Sequence, residues 1–239
     1  ELYDFEDQGG RHVTLTPELT PTVARMVVAK QQALSKPIKW YSTRDFWRYE
    51  EPQSGRNREF YQTNVDLFGS TEPEADAEVL ATAADALTTL GLTDDDFEFR
   101  VSHRDVLGGV LNSFDADVQI RDAIRVVDKR AKLDYDDYVD RLAGTGLSVS
   151  QAEAFDDVIA SNDLDELVAF ADTERVTAAV ENLRAVLAAT EDYGVRDYVD
   201  VSLTTARGLD YYTGVVFECF DATGEVGRSV FGGGRYDDL

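Results

Sequence analysis

The sequence predicts an α+β fold, in which an antiparallel sheet is flanked by helices and interrupted by a helical insertion. Three observations lead to this prediction. Strand-like and helix-like segments alternate up to about residue 110, the pattern is helical from about residue 115 to 191, and strand-like segments return near residue 199. We therefore expect residues 1–114 and 195–239 to form the sheet-containing domain and residues 115–194 to form the insertion.

The first part should contain a helix followed by a long hairpin. Thr16 is a suitable N-cap and Pro17 suits the first helical position, so we predict a helix from there toward Leu34. Strand-like stretches at 38–49 and 60–68 flank a polar loop with a basic tip, which predicts an antiparallel hairpin.

The remaining elements are predicted from caps and periodicity. A helix ended by Gly91 and a strand near residues 97–101 complete the first part. In the insertion, Ser150 and Glu153 fit a capping box, and Gly194 fits the end of the last helix. Helical spacing predicts that the buried face of that helix comprises Val176, Val180, Leu183 and Leu187. Strands are predicted again over 199–203 and 211–220.

The formal charge of −24 is unusual for a chain of this length. The 47 Asp and Glu residues outnumber the 23 Lys and Arg residues and are spread over the whole chain. An acidic, solvated surface adapted to high salt is the favoured interpretation, ahead of a docking surface for a cationic partner. Taken alone, the acidity argues against nucleic-acid binding.

Composition also limits disulfides, metal sites and membrane segments. Cys219 is the one cysteine and the histidines, His12 and His103, lie far apart, so a disulfide within the chain is excluded and no metal site is expected. No apolar run approaches the roughly 18 residues of a membrane span, and the start has no signal-peptide pattern. These features predict a cytoplasmic protein. The start at Glu1, without a methionine, predicts a fragment.

Polar side chains on the hairpin form the first candidate binding site. Arg48 and Glu50 are two residues apart on one predicted strand, Gln62 and Asp66 share a face of the other, and Arg56 lies near the tip. Burial of such groups costs free energy unless they pair or meet a polar ligand. A solvated face with surface ion pairs is the commoner arrangement, but the many neighbouring aromatic residues favour a covered face.

Three further strings are candidates for function. Residues 206–214, ARGLDYYTG, combine a permissive backbone with adjacent tyrosine hydroxyls, although an ordinary turn into a hairpin explains them equally well. Residues 16–20, TPELT, fit helix initiation without any ligand. Residues 232–235, GGGR, lack the Lys-Ser/Thr of a phosphate-binding P-loop, so a glycine-rich turn is favoured there.

Together these strings resemble the class II aminoacyl-tRNA synthetases, and specifically the histidyl-tRNA synthetase family. Residues 46–69, FWRYEEPQSGRNREFYQTNVDLFG, are similar to motif 2 of that class, and ARGLDYYTG is similar to a segment peculiar to the histidyl enzymes. LTPELTPTVARM near the start and FGGGRYDDL at the end match in the same order. The resemblance implies the antiparallel sheet of class II synthetases, while the helical insertion matches only by position.

The resemblance implies that histidine is activated with ATP to histidyl-adenylate and pyrophosphate, and then transferred to the 3′ end of tRNA(His). The implied ATP-binding residues are Arg48, Glu50, Arg56 and Arg207, of which Arg48 and Arg207 are the implied catalytic residues at the α-phosphate. The implied histidine-binding residues are Glu18 and Thr20 near the α-amino group, Gln62 along the substrate, and Asp66, Tyr211 and Tyr212 at the imidazole. Mg²⁺ is expected to accompany ATP.

The resemblance further implies parts outside this chain. Motif 1, which builds the dimer interface of the family, would precede Glu1, and motif 3, with a second ATP-binding arginine, would follow Leu239 together with the anticodon-binding domain. The 239-residue chain is therefore expected to be inactive, or nearly so, in adenylate formation. The full-length protein is expected to be a homodimer.

Two alternatives remain at this stage. One is a synthetase-like regulatory subunit of the first enzyme of histidine biosynthesis, which senses histidine without charging tRNA. The other is a synthetase for a different amino acid. Arg48 and Arg207 together favour a synthetase over a regulator, because sensing histidine needs no pair of arginines at a phosphate. Asp66 and the RGLDYY string favour histidine as the substrate.

Overall fold

The computed structural model describes residues 2–52, 55–207 and 209–239, and its contacts divide the chain into two compact units. Unit 1 comprises Glu1–Thr71 with Leu239, and unit 2 comprises Glu72–Asp238. Both units contain helices and antiparallel strand pairs, so the predicted α+β class is confirmed. This division does not coincide with the boundaries predicted near residues 114 and 194, and a separate helical insertion stays a prediction.

Unit 1 contains two antiparallel strand pairs and a helix. Its elements are β1 (Asp4–Glu6), β2 (His12–Thr14), α1 (Thr20–Lys30), a short 3-10 turn (Gln31–Ala33), β3 (Ile38–Trp47) and β4 (Glu59–Phe68). β1 pairs with β2, and β3 pairs with β4 along their whole lengths, in a register that sets Trp40 opposite Asp66. The predicted hairpin is therefore confirmed. Gln53 and Ser54, in its predicted tip, lie outside the described residues.

The first helix begins at Thr20, so the start predicted at Thr16 is wrong. The backbone just before the helix bonds to the end of the hairpin instead. The Trp47 amide donates a hydrogen bond to the Thr16 carbonyl at 3.0 Å, and Arg48 Nε donates to the Pro17 carbonyl at 2.9 Å. These long-range bonds hold residues 16 and 17 in a non-helical conformation that the local sequence did not reveal.

Unit 2 combines a four-stranded sheet with helices α2 to α8. The helices are α2 (Pro73–Thr89), α3 (Arg104–Ser113), α4 (Ile120–Val127), α5 (Tyr135–Ala143), α6 (Val149–Ser161), α7 (Leu164–Ala171) and α8 (Glu174–Asp192). The strands are β5 (Phe97–His103), β6 (Val199–Val201), β7 (Val215–Asp221) and β8 (Phe231–Gly234), in the order β6-β5-β7-β8. The β5–β6 pair is parallel and the other two pairs are antiparallel, so the sheet is mixed rather than fully antiparallel.

One face of this sheet shares a single hydrophobic core with the helices. Phe99 and Val101 of β5 and Phe217 of β7 are buried together with side chains from α2 to α8. The predicted face of α8 is confirmed, since Val176, Val180 and Leu183 are fully buried and Leu187 packs against them. Within the described residues, no helix is both long enough and apolar enough to cross a bilayer.

Three local predictions in unit 2 are wrong. The capping box of α6 is formed by Ser148 and Gln151, two residues earlier than the predicted Ser150 pair. The strand predicted from residue 211 begins only at Val215. The glycines expected to form a turn near residue 232 belong to β8, where they pair with β7.

His103 connects β5 to α3 and is buried in unit 2. Its Nδ1 accepts a hydrogen bond from the Asp105 amide at 3.1 Å and so caps the helix. Burial lowers the pKa of His103 from 6.5 to about 4, although the charge of Asp105 and a hydrogen bond with Asn182 act in the opposite direction. The folded protein therefore holds a neutral histidine at this position.

We expect this neutral histidine to make folding less favourable in acid. Between pH 6.5 and pH 4 the unfolded chain binds a proton at His103 and the folded chain does not, so the free energy of unfolding falls as the pH falls. The pKa difference corresponds to about 3 kcal/mol. Urea unfolding of the wild type and of His103→Gln at pH 7, 5.5 and 4 measures this contribution. The titration of carboxylates affects both proteins alike, so it cancels in the difference between their free energies of unfolding. A stability difference that stays constant over this range would contradict the prediction.

Candidate active site

Unit 1 carries polar side chains on the covered face of its hairpin. On β4, Gln62 is half-buried and Asp66 is only 7% exposed, whereas Tyr61 on the opposite face is 79% exposed. Gln62 Nε2 donates a hydrogen bond to Asn64 Oδ1 at 2.7 Å, along the same face. This distribution reverses the usual pattern, in which a strand buries its apolar residues and exposes its polar ones. The predicted covered polar face is thus present, with Gln62 and Asp66 on it.

The hydroxyl of Ser42 is a further polar group on the covered face of the hairpin. Ser42 lies opposite Asn64 on β3, and its Oγ is shielded from solvent without a hydrogen-bond partner in the described part of the chain. A shielded hydroxyl without a partner costs free energy. Such a cost is tolerated where a polar ligand or water completes the bonding.

Arg48 lies one residue beyond β3 rather than on the predicted strand. Its Nε bonds to the Pro17 carbonyl at 2.9 Å, and its guanidinium lies 5.1 Å from the centre of the Phe60 ring. The bond brings Arg48 beside the segment that carries Glu18 and Thr20, of which Thr20 is buried at the start of α1. Three of the predicted site residues are therefore grouped at this end of the hairpin.

Glu50 and Arg56 pair with each other beyond the strands. Glu50 Oε2 and Arg56 Nε are 2.8 Å apart, and Arg58 Nε bonds to the Glu50 carbonyl at 2.9 Å. Both side chains are partly exposed, so the ion pair is weak in energy and open to exchange with a charged ligand. The predicted ATP-binding residues of unit 1 are thus close in structure, and their roles stay predictions.

Arg207 is the central cation of the candidate site in unit 2. Its Nη1 donates to Glu218 Oε1 on β7 at 3.0 Å, and its guanidinium lies 5.9 Å from the centre of the Tyr212 ring. Burial lowers the pKa of Arg207, but the neighbouring Tyr212 and Glu218 raise it by more, so the net shift is upward. The side chain is therefore a fixed cation. Gly208, its neighbour in the string, lies outside the described residues.

Glycines on β8 leave the space that Arg207 and Tyr212 occupy. A Cβ on Gly232 would lie 2.7 Å from Arg207 Nη1, and a Cβ on Gly234 would lie 2.8 Å from Tyr212 Cδ1. A Cβ on Gly233 would instead meet the ring of Phe217 at 2.8 Å, on the core side of the sheet. Alternate glycines of the strand therefore make room for the candidate site, a role that the sequence analysis missed.

The rings of the two predicted tyrosines lie in tilted contact beside a third tyrosine, which the sequence analysis did not single out. The rings of Tyr211 and Tyr212 are 4.8 Å apart, and Tyr236 lies edge-on to Tyr211 at 6.1 Å. Thr213 fixes the segment by bonding to Asp237 through its hydroxyl at 3.1 Å. The sequence signal for Tyr236 is its place directly after the GGGR string, which by itself favours a turn.

The charged groups of residues 2–52, 55–207 and 209–239 do not gather into a metal site. No group of three or more His, Cys, Asp or Glu side chains there is arranged to hold a metal ion. Each unit presents arginines beside polar side chains, an arrangement that suits anionic and zwitterionic ligands.

Similarity to known proteins agrees with these features. The family model of histidyl-tRNA synthetases matches residues 1–239. A histidine–tRNA ligase of Halobacterium salinarum is 73% identical over all 239 residues, which make up 55% of that protein. The chain therefore spans about half the length of the curated relatives it matches.

Solved structures show the same likeness. A histidyl-tRNA synthetase from Nostoc sp. PCC 7120 superposes with a TM-score of 0.83 at 25% identity, over 100% of this chain and 56% of the other. A protein from Bacillus halodurans, described as an ATP phosphoribosyltransferase regulatory subunit/histidyl-tRNA synthetase, gives 0.82 at 25% identity, over 99% and 61%. Sequence, fold and the match over the whole chain together establish that this chain belongs to the histidyl-tRNA synthetase family.

Proposed function

We propose that the protein containing this chain activates histidine with ATP and transfers it to the 3′ end of tRNA(His). The observation that supports this most is Arg207, a cation that is held by Glu218 and lies over the Tyr212 ring, in a site that β8 leaves open with glycines. Family membership over all 239 residues supplies the reaction. The chain provides one part of the machinery, since its relatives are almost twice as long.

The chemistry explains why fixed arginines are needed. The histidine carboxylate oxygen forms a bond to the α-phosphorus of ATP, and the bond from that phosphorus to the oxygen of pyrophosphate breaks. Negative charge builds up around the α-phosphate as this happens. Cations already in place lower that barrier, because no solvent or side chain must reorganise during the step. We assign this role to Arg48 and Arg207, and placement of the nucleotide to Glu50 and Arg56.

Histidine recognition is assigned to the polar side chains. Asp66 is buried on β4, and a carboxylate together with a tyrosine hydroxyl satisfies both nitrogens of an imidazole ring. Tyr211 and Tyr212 supply the hydroxyls, Gln62 lies along the substrate, and Glu18 with Thr20 binds the α-amino group. A side chain without ring nitrogens would leave the Asp66 carboxylate desolvated without compensation, which rejects it.

The regulatory alternative is less favoured. A histidine sensor requires the polar pocket but not the arginines, and both Arg48 and Arg207 are held by specific bonds in this structure. The fold does not separate the two functions, because the Bacillus halodurans neighbour is described as both. Six curated relatives at 73% to 68% identity are named histidine–tRNA ligases, which favours the enzyme.

The remaining partners are proposed with the function. Mg²⁺ would arrive with ATP, held by phosphate oxygens and water rather than by a protein cage. We propose a homodimeric, cytoplasmic protein. tRNA binding is compatible with a charge of −24 if recognition relies on shape and base contacts, since the gain from counterion release shrinks in strong salt.

Histidine-dependent ATP–pyrophosphate exchange tests this function. A polypeptide of the relatives' full length that contains this chain is expected to incorporate labelled pyrophosphate into ATP only when histidine is added. The same protein with Arg48→Met serves as the inactive control. Exchange that is absent, or equally fast with phenylalanine, would reject the proposal. The 239-residue chain by itself is expected to show little or no exchange.

A further inference from the structure

Arg104, the first residue of α3, is bonded to the loop that carries Arg207. Its Nη1 donates to the carbonyls of Ala206 and Arg207 at 3.1 and 3.2 Å, and its Nη2 donates to the carbonyl of Leu209 at 3.0 Å. A longer contact of 3.5 Å joins its Nε to the carbonyl of Tyr212. One side chain therefore contacts the backbone on both sides of Gly208.

The backbone of Arg104 binds the same loop at its far end. The amide of Arg104 donates to the carbonyl of Gly214 at 2.9 Å, directly before β7 begins. A planar guanidinium with five donors suits this arrangement, because it meets several carbonyls in fixed directions. The loop is thus bonded to α3 at residues 206, 207, 209 and 214.

The conformation of Arg207 shows why such fastening is needed. Its φ is +46°, in the left-handed region that non-glycine residues seldom adopt. A residue held there costs free energy and persists only where the surrounding structure enforces it. Arg104 bonds to the carbonyl of this same residue, and a second tether joins Arg125 of α4 to Asp210 at 2.5 Å.

We propose that Arg104 is a positioning residue, which holds the 206–212 loop so that the Arg207 guanidinium stays fixed for the reaction. The effect on the reaction rests on the proposed function. The hydrogen bonds that hold the loop do not depend on that function. Arg104 acts through the backbone of the loop and does not touch the substrate. Without it the loop would sample conformations in which Arg207 leaves its place beside Glu218.

A double-mutant cycle in the full-length protein tests this inference. Arg104→Met is expected to lower kcat of ATP–pyrophosphate exchange about 100-fold, since a displacement of about 1 Å at a reacting group has an effect of that size. In the Arg207→Met background, Arg104→Met is expected to lower kcat less than about threefold, because the side chain that Arg104 positions is already absent. Equal losses in the two backgrounds would overturn the proposal. Arg104→Lys keeps the charge but lacks the planar guanidinium, and its kcat is expected to lie between those of the wild type and Arg104→Met.

A stability control separates positioning from folding. Arg130 forms its ion pair in the helical region, with the buried Asp156 at 2.6 Å, rather than with a described residue of the loop. Arg130→Met is expected to lower Tm while leaving kcat of the folded protein unchanged. A loss of kcat in this variant as large as that of Arg104→Met would assign the effect to general destabilisation and overturn the proposal.

Hydrogen exchange keeps the inference testable if the proposed function fails. The amides of residues 206–214 are expected to exchange at least about tenfold faster in Arg104→Met than in the wild type, and at the wild-type rate in Arg130→Met. This readout needs no substrate. A wild-type protein without exchange activity would reject the proposed function alone, whereas unchanged amide protection in Arg104→Met would reject the positioning role alone.

Discussion

Replacing Arg207 with methionine is expected to lower kcat of histidine-dependent ATP–pyrophosphate exchange by about 1000-fold, the scale found when one preorganised donor is removed from an active site. The substitution keeps much of the side-chain volume against Tyr212 but removes the cation. Histidine binding, measured by titration calorimetry in the absence of ATP, is expected to change by less than about threefold. The reason is that the charge opposite Arg207 develops on the phosphate during the reaction and is absent from bound histidine.

Arg100 provides a matched control for this substitution. It lies on β5 directly opposite Glu218 of β7, and its Nε donates a hydrogen bond to Glu98 at 2.6 Å. Arg100→Met is expected to retain wild-type kcat. If Arg207→Met lost histidine binding and exchange by the same factor, Arg207 would be a binding or structural residue and its assignment to the phosphate would be wrong.

Adding one methyl group at Gly232 is expected to lower kcat about 100-fold. The new Cβ would lie 2.7 Å from Arg207 Nη1 and closer still to the Phe217 carbonyl oxygen, so the guanidinium and the strand must both shift. A misplaced cation loses most of its effect on the transition state even though its charge remains. Steady-state exchange kinetics of Gly232→Ala, together with its Tm, measure the effect.

The neighbouring Gly233 supplies the control for stability. Its Cβ would meet the Phe217 ring at 2.8 Å on the core side, away from Arg207. Gly233→Ala is expected to lower Tm while the folded protein keeps its kcat. Gly227→Ala, where a Cβ meets nothing within 4 Å, is expected to change neither. Equal losses of kcat in Gly232→Ala and Gly233→Ala would show that β8 is required for folding and not for positioning Arg207.

Much of the fold follows from local pattern. The hairpin, α2, α8 and the buried face of α8 were all predictable, because strand alternation, helix caps and helical spacing are properties of neighbouring residues. Where two equivalent signals lie close together, the sequence did not choose between them. Thr16-Pro17 and Thr20-Pro21 are alike as helix starts, and the bonds from the hairpin to residues 16 and 17 select the second.

The sequence identified the candidate site residues, but it did not predict their arrangement. Arg48 and Arg207 stood out through family resemblance, whereas the carbonyl contacts of Arg104 join residues more than 100 positions apart and leave no local trace. The glycines of β8 are another example. Glycine normally weakens a strand, so the local signal predicts a turn. The side chains of Arg207, Tyr212 and Phe217 explain why glycines occupy this strand.

Selective binding of histidine tests the central claim most directly. A protein of the relatives' length that contains this chain is expected to show a Tm that rises with histidine concentration, because a ligand that binds the folded state stabilises it. No other proteinogenic amino acid is expected to produce this rise, and Asp66→Asn is expected to abolish it. An unchanged Tm with saturating histidine, or an equal rise with phenylalanine, would contradict the assignment of a histidine site to this chain.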